Sequence, residues 1–425
     1  MTTGSDVSVD EGGSWFDQAK LGMFVHWDHA SQQGLELSWP LVGNVFVLPE
    51  SQDVSVAQYH SSAATFDPSA WDAVRLARAA RQAGMGYVVF TTKHHSGYAM
   101  FHTKLSDHSI EHSPYGRDIV AELVEALRAE DLRVGLYFSL SDWSHPDYPA
   151  FTDADKPYVF GASPPAPLAD QWDRYLEFMK GQLTELLSGY GRIDMVWFDG
   201  GWERPDWKAG EVEALIRSLQ PGILINERLP GVGDFTTPEQ FIPAVPPKGR
   251  WETCMTMNES WGYNPGDRRY KTSRALIHAL IEVAGKGGNL LLNVGPRGDG
   301  SLPEEQVERL EAVGTWMAVN GESIIGSVPG LEPWQFYGPT TRKGSTLYLH
   351  LLLRPYETVD VRGVPVRRVQ SVRELATGRE LRFRTRTGIV DSLLPDPEGT
   401  LTIKVPDEVL GEYATVLAVE FAESV

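Results

Sequence analysis

The feature that most constrains the fold is an apolar run at residues 192–201, which ends in a carboxylate and two glycines (Arg-Ile-Asp-Met-Val-Trp-Phe-Asp-Gly-Gly). Such a run predicts a strand that is buried on both faces, which is typical of parallel sheets. Asp199 then lies at the carboxyl end of the strand, where Gly200 and Gly201 allow a sharp turn and the close approach of a ligand. Catalytic groups stand at this end of the strands in a (β/α)8 barrel; the alternative is that Asp199 only caps the next turn.

Strand-like and helix-like segments alternate through about residue 320. Further strands are predicted at 21–27, 87–92, 133–140, 223–226 and 289–293. Helices are predicted at 71–82, 117–129, 170–187, 211–219, 272–284 and 301–320, the last with a capping box formed by Ser301 and Glu304. At least six strand–helix units are visible, and this number of units favours a barrel over a doubly wound sheet.

The pattern changes after about residue 333 to short strands with period-2 alternation, separated by Gly, Pro and Asp turns. These strands are predicted at 346–352, 366–372, 380–383, 401–405 and 414–421. They indicate a small antiparallel β-sandwich. We therefore predict a disordered N-terminus at 1–13, an α/β catalytic domain with a (β/α)8-like (TIM) barrel at 14–330, and a C-terminal β-sandwich domain at 331–425.

Charge and composition exclude several classes of partner. The net charge of −19 over 425 residues argues against binding to nucleic acid or to anionic membranes, whose phosphates need a basic face. The single cysteine, Cys254, excludes an internal disulfide framework and a thiolate metal cluster. No signal peptide is visible in the polar N-terminus, so a cytoplasmic protein is expected, and its oligomeric state is left open. Thirteen tryptophans suit sugar binding, although most single indoles belong to a core.

Polar side chains gather directly after the predicted strands. His26 follows the first strand, His94 and His95 the second, Asp199 the fourth and Arg228 the fifth. The carboxyl ends of barrel strands meet on one face, so these side chains are expected to form one site.

Glycoside hydrolysis is one chemistry that this site supports. It requires one carboxylate as nucleophile or base and a second carboxyl group as proton donor. Asp199 is the candidate for the first role, and Glu239, Glu252 and Glu259 compete for the second. Histidines and an arginine would then hydrogen-bond the sugar hydroxyls.

Metal-assisted hydrolysis is the alternative chemistry, with His26, His94, His95 and Asp199 as ligands. Adjacent histidines suit it poorly, because neighbouring side chains on an extended strand point to opposite faces. The sequence also contains no His-x-His or His-Glu-x-x-His pattern.

Eight short motifs occur in a fixed order between about residues 15 and 325. They are Gly22-Met-Phe-Val-His-Trp27, Thr92-Lys-His-His-Ser-Gly97, Gly135-Leu-Tyr-Phe-Ser139, Val196-Trp-Phe-Asp-Gly200, Asn226-Glu-Arg228, Trp251-Glu-Thr-Cys-Met-Thr256, Ser260-Trp-Gly-Tyr-Asn264 and Gly288-Asn-Leu-Leu-Leu-Asn-Val-Gly-Pro296. In these motifs the chain resembles the α-L-fucosidases of glycoside hydrolase family 29. The resemblance implies a (β/α)8-like barrel followed by a β-sandwich, hydrolysis with retention, and no cofactor or metal.

The resemblance also implies roles for single residues. Asp199 matches the family's nucleophile, and the sugar-binding residues correspond to His26, His94, His95, Tyr137, Trp197 and Arg228. The acid/base varies within the family: Glu239 matches one branch and Glu252 another, and Glu239 is preferred. The family's Glu-Trp-Tyr triplet is replaced here by Leu37-Ser38-Trp39-Pro40, which points to Glu36 or Trp39 for the missing sugar contact.

The sequence therefore predicts a retaining exo-glycosidase that removes terminal α-L-fucose from oligosaccharides or glycoconjugates. Two alternatives stay open: a metal-dependent barrel hydrolase using His26, His94 and His95, and a barrel that binds fucose without turnover. The second would retain the histidines and lack a catalytic carboxylate, whereas Asp199 is present.

Overall fold

A computed structural model describes residues 11–43, 53–148, 152–157, 169–201 and 206–423. The first helix, α1 (Glu11–Ala19), begins inside the stretch predicted to be disordered, and the rest of that stretch, residues 1–10, lies outside the described residues. Among the described residues, no helix combines the length and apolar character needed to cross a membrane.

Eight parallel strands form the barrel and follow one another around it in chain order. They are β1 (Leu21–Val25), β2 (Tyr87–Lys93), β3 (Arg133–Ser139), β4 (Met195–Asp199), β5 (Leu224–Ile225), β6 (Phe235–Thr236), β7 (Arg250–Thr256) and β8 (Asn289–Val294). β1 pairs with both β2 and β8. Among the described residues, β5 and β6 are linked by a bridge from Asn226 to Phe235 and by hydrogen bonds from Glu227 N to Phe235 O and from Asp234 N to Ile225 O, so the barrel is closed by a short seam.

Within the described ranges, seven further helices accompany the strands. They are α2 (Val56–Ser61), α3 (Ala73–Gln82), α4 (Ile119–Ala129), α5 (Ala169–Gly189), α6 (Ala209–Leu219), α7 (Ser273–Gly285) and α8 (Glu304–Asn320). The side chains of Asp72, Asp118 and Thr272 accept hydrogen bonds from backbone N–H groups in the first turns of α3, α4 and α7, which fixes their starts. The predicted capping box of α8 is wrong. Pro303 precedes the first helical residue, and the Ser301 hydroxyl instead donates to Asp299.

The sandwich is built from two antiparallel sheets. One sheet contains β9 (Val328–Pro329), β10 (Thr340–Lys343), β11 (Thr346–Leu351), β13 (Val369–Glu374) and β16 (Thr415–Phe421). The other contains β12 (Thr358–Pro365), β14 (Phe383–Arg386) and β15 (Glu398–Lys404). Alternate residues of both sheets, such as Leu417 and Val419 of β16 and Val361 of β12, fill the core between them.

The outer face of the five-stranded sheet packs on the barrel. Val416 and Ala418 of β16 belong to the same apolar core as the barrel helices. Polar contacts reinforce this packing: Trp316 of α8 donates to the carbonyl of Ala414 at 3.3 Å, and the His278 ring of α7 contacts the carbonyl of Tyr413 at 2.8 Å. β16 is consequently buried on both faces, toward the sandwich on one side and the barrel on the other.

Candidate active site

Asp199 is the last residue of β4 and lies level with Ser139 at the end of β3. The chain then turns through Gly200 and Gly201, both with positive φ. A Cβ atom at Gly200 would lie 2.7 Å from Ser141 Oγ, so only glycine fits the turn without displacing Ser141. The two glycines therefore place the Asp199 carboxylate at the mouth of the barrel, as the sequence predicts.

Both oxygens of Asp199 have donors. Arg228 Nη1 donates to Oδ1 at 2.6 Å, and the Tyr137 hydroxyl donates to Oδ2 at 2.9 Å. His95 Nε2 lies 3.8 Å from Oδ2. Burial alone raises the pKa of Asp199, but the charges of Arg228 and His95 and the two hydrogen bonds lower it below its ordinary value. Asp199 is thus an ionised carboxylate, held in place and suited to act as a nucleophile.

Glu239 shares the guanidinium of Arg228 with Asp199. Arg228 Nη2 donates to Glu239 Oε2 at 2.7 Å, while its Nε donates to Thr237 Oγ1 at 3.1 Å. The Arg228 guanidinium also lies 4.6 Å from the ring centroid of Trp197, which restricts its orientation. The Glu239 side chain is 40% exposed and that of Asp199 only 16%, so the two neighbouring carboxylates differ in their access to water.

The structure places Glu252, the other predicted acid/base candidate, away from this group of side chains. It is buried near the amino ends of the strands, paired with Asn289 at the first residue of β8. Trp197 Nε1 donates to one oxygen at 3.0 Å, and the Tyr87 hydroxyl, from the first residue of β2, donates to the other. Burial raises the pKa of Glu252 to about 7. Glu259 is also outside the pocket, in an exposed ion pair with Arg269.

Three histidines surround Asp199, each held through Nδ1 by a buried polar side chain. The pairs are His26 with Asn293 Oδ1 at 2.7 Å, His94 with Ser38 Oγ at 2.6 Å and His95 with Ser139 Oγ at 2.6 Å. Burial lowers the pKa of His26 to about 4 and that of His94 well below its ordinary value. Neutral imidazoles whose tautomers are set by Nδ1 are suited to hydrogen-bond uncharged hydroxyl groups through Nε2.

The adjacent His94 and His95 do not diverge as expected for an extended strand. β2 ends at Lys93, and the two histidines lie in a turn closed by a hydrogen bond from Gly97 N to His94 O. Their ring centroids are therefore only 4.1 Å apart.

His94, His95 and Asp199 each present one possible metal-ligand atom within 4.8 Å of the others. A cation there would face the guanidinium of Arg228, which already occupies Asp199 Oδ1, so the geometry favours glycoside hydrolysis over metal chemistry.

The side chains around Asp199 enclose a pocket with an empty volume of about 310 Å³, including space open to solvent. The predicted residues that line it are His26, Trp39, His94, Trp197, Asp199, Arg228 and Glu239. Phe24, Cys254 and Trp261 also line it and were not predicted as site residues. The alternation of side chains along a strand could have identified Phe24, which lies two residues before His26 and so on the same strand face. Trp261 is part of a motif already noted.

The Glu36 carboxylate, one of the two replacements suggested by sequence, is engaged by backbone donors. It accepts the backbone N–H groups of Trp261 at 2.5 Å and Gly262 at 3.1 Å. The residue is 5% exposed, and burial raises its pKa to about 8. Glu36 instead fixes the loop that presents Trp261, while Trp39, the other suggested replacement, reaches the pocket.

Comparison with known proteins gives concordant matches. The family model for alpha-L-fucosidase matches residues 2–322. The tissue alpha-L-fucosidase of Bos taurus is 32% identical over 375 residues, covering 80% of this chain and 75% of that protein. Alpha-L-fucosidase isoenzyme 1 from Paenibacillus thiaminolyticus is 36% identical with a TM-score of 0.85, covering 97% of this chain and 99% of that chain.

A second solved structure bears on the chemistry. It is an alpha-L-fucosidase of glycoside hydrolase family 29 from Bacteroides thetaiotaomicron, described as a trapped covalent intermediate in complex with 2-fluoro-fucosyl fluoride. It is 25% identical to this chain with a TM-score of 0.81, covering 97% of this chain and 96% of that chain. A covalent intermediate in a protein of the same fold is what double displacement produces.

Proposed function

The chain belongs to the alpha-L-fucosidase family, and from this premise we propose that it is a retaining exo-glycosidase that releases terminal α-L-fucose. The proposal rests on one observation: the Arg228 guanidinium donates to two carboxylates that differ in exposure, Asp199, which is largely buried, and Glu239, which is accessible to solvent. Retaining glycosidases need two neighbouring carboxyl groups of this kind, one attacking and one exchanging protons with the leaving group and with water.

In the first step Asp199 attacks the anomeric carbon, and the bond to the leaving oxygen breaks as Glu239 donates its proton to that oxygen. In the second step Glu239 takes a proton from water, whose oxygen attacks the same carbon and releases Asp199. Tyr137 and Arg228 orient the attacking carboxylate and keep it ionised. The two displacements return the original anomeric configuration.

The shape of the pocket supports cleavage at a chain end. A small set of aromatic and polar side chains lines the pocket around the carboxylate of Asp199, which suits one sugar ring rather than several. His26 and His94 provide neutral donors and acceptors for hydroxyl groups, while Trp39 and Trp261 provide indole faces for the apolar side of the ring.

The first experiment is hydrolysis of 4-nitrophenyl α-L-fucoside in the presence of EDTA. Wild type should release nitrophenol, and Asp199→Ala should lower kcat by at least about 10³-fold. A wild type that is inert on this fucoside would support the alternative of a barrel that only binds fucose. Loss of turnover in EDTA alone would support the metal-dependent alternative.

The acid/base assignment needs a second comparison. Glu239→Ala should lose about 10²–10⁴-fold on substrates with poor leaving groups, whose departure needs the acid. On 4-nitrophenyl α-L-fucoside, whose leaving group is good, azide should restore turnover of this variant by attacking the covalent intermediate without base assistance. Glu252→Gln, the matched control, should keep kcat within a few-fold because its carboxylate faces Tyr87 and Trp197 rather than the pocket. Azide rescue of a Glu252 variant instead would overturn the assignment of Glu239.

A further inference from the structure

Three histidines outside the sugar pocket converge on one point of the fold. His29 lies in the turn after β1, His60 in α2, and His108 in the loop between β2 and α4. One nitrogen of each ring lies within 4.8 Å of one nitrogen of each of the others. The ring centroids of His60 and His108 are 5.0 Å apart, and that of His29 lies 6.4 and 6.0 Å from these two.

Each of these rings has a nitrogen whose hydrogen-bonding capacity is unused. His29 Nε2, His60 Nδ1 and His108 Nε2 are buried atoms with no hydrogen-bond partner among the described residues. The other nitrogens of two rings are held, His29 Nδ1 by Ser62 Oγ at 2.7 Å and His60 Nε2 by Ser144 Oγ at 3.3 Å. Metal-binding histidines show this arrangement, because a hydrogen bond at one nitrogen orients the other nitrogen toward the ion.

The donors also have the protonation state that a metal needs. Burial is the main cause that lowers the pKa of His60 to about 4, and it lowers the pKa values of His29 and His108 as well. The carboxylate of Asp142 acts on His60 and His108, and it is itself paired with the buried Lys93 Nζ at 3.4 Å, so the ligands of the site are the three neutral imidazoles. Neutral imidazole nitrogens select borderline transition metals such as Zn²⁺ over Ca²⁺ or Mg²⁺.

We propose that His29, His60 and His108 form a structural binding site for one divalent transition-metal ion of the Zn²⁺ type. Zn–N bonds of about 2.0–2.1 Å place tetrahedral ligand atoms roughly 3.4 Å apart. The three nitrogens already lie within 4.8 Å of one another, so small ring movements complete the site. Water takes the fourth position. His60 and His108 are partly exposed, which gives the ion a route from solvent, whereas His29 is fully buried.

The ion acts by joining three chain segments behind the sugar pocket. Ser144, which holds His60, also donates to the carbonyl of Ser96 at 2.6 Å. Ser96 N in turn donates at 2.8 Å to Ser38 Oγ, the partner of His94. The site thus stabilises the loop that carries His94 without contacting the sugar or Asp199, and its effect is expected on stability rather than on chemistry.

The test uses the full chain, stripped by dialysis against EDTA and then titrated with Zn²⁺ by calorimetry, with metal content measured after gel filtration. Wild type should retain one equivalent, and its Tm should rise by several degrees. His60→Ala and His108→Ala should each lose the bound equivalent and the rise in Tm. His112→Ala, an exposed histidine in an ion pair with Asp107 in the same loop, is the matched control and should retain both.

Two further measurements keep the result decisive. Titration with Co²⁺ should give the intense visible absorption of a four-coordinate ion in wild type and in Asp199→Asn. Loss of the ion in Asp199→Asn would place it in the sugar pocket and overturn the proposal. The proposal would also be overturned if wild type retained no metal, or if both His60→Ala and His108→Ala still retained the ion. Activity on the fucoside at 25 °C should be equal for stripped and loaded protein, so this proposal and the glycosidase proposal fail separately.

Discussion

Among single residues, Tyr137 tests how the nucleophile is kept ionised, because its hydroxyl donates to Asp199 Oδ2. Tyr137→Phe removes a hydrogen bond to the charged form, so the pKa of Asp199 should rise. The acidic limb of kcat/KM against pH should move upward by about one unit, with a loss of about 10-fold or more at neutral pH. Tyr348→Phe is the control: it removes a hydroxyl of the sandwich strand β11 that donates to Glu322, and it should leave the acidic limb of the pH profile in place. An unmoved limb in Tyr137→Phe would contradict this role.

Glu252 makes stability depend on pH. Its pKa is about 7 in the folded protein, against an ordinary value of 4.5. The contribution of Glu252 to the free energy of unfolding is therefore fully present below pH 4.5 and is lost as pH rises through 7. The loss attributable to this group is on the order of 3 kcal/mol. Glu252→Gln cannot ionise and should flatten the fall in unfolding free energy between pH 5 and 8, measured by urea denaturation. Glu408→Gln, at an exposed position, should follow wild type. An equally steep fall in both variants would remove Glu252 as the cause.

Position in a predicted strand explains which site residues could be foreseen. Asp199 and Arg228 follow buried strands, and that pattern placed both at the barrel mouth. The role of Glu36 could not be foreseen, because its N–H donors at Trp261 and Gly262 lie more than 200 residues away in the chain. Nor could the sequence show that Glu239, rather than Glu252, contacts Arg228, because only the fold brings these side chains together.

Among the secondary-structure elements, the seam between β5 and β6 is the least supported part of the barrel. Asp234 strengthens it, since its carboxylate accepts Ile225 N at 2.8 Å and Arg217 Nη2 at 3.0 Å. Asp234→Ala should cost about 1–3 kcal/mol and speed amide hydrogen exchange across residues 224–236. Asp360→Ala, which loses an exposed contact with Thr402 in the sandwich, should cost less and leave that exchange unchanged. Equal exchange in the two variants would show that Asp234 does not support the seam.

β7 shows why some elements escape sequence reasoning. Its residues Glu252, Thr253 and Thr256 are buried, so it lacks the continuous apolar run that identified β4. Each has a partner inside the fold: Trp197 for Glu252, and the carbonyls of Phe241 and Asn258 for the two threonines. β6 has only two residues, too few for any period. The eight-stranded barrel was nevertheless predicted correctly, because strand–helix alternation is evident in the remaining units.

For the whole molecule, the contact between sandwich and barrel should make unfolding cooperative. Val416 is fully buried on the barrel side of β16, so Val416→Asp places an unpaired charge in the joint core. A cost above about 3 kcal/mol is expected, with loss of fucosidase activity at the same temperature as loss of sandwich structure. Val390→Asp, 76% exposed, is the control and should change little. Calorimetric transitions that separate in Val416→Asp while activity persists would show that the barrel is independent.

The place of β16 in the chain has a consequence for synthesis on the ribosome. β16 follows the other strands of the described residues along the chain, yet it lies between β11 and β13 and covers barrel helices with one face. A nascent chain that stops before residue 415 therefore presents an uncovered apolar surface around Trp316 and an unpaired edge on β11. A polypeptide truncated there would be a target for chaperones and proteases, because it exposes apolar surface that β16 otherwise covers.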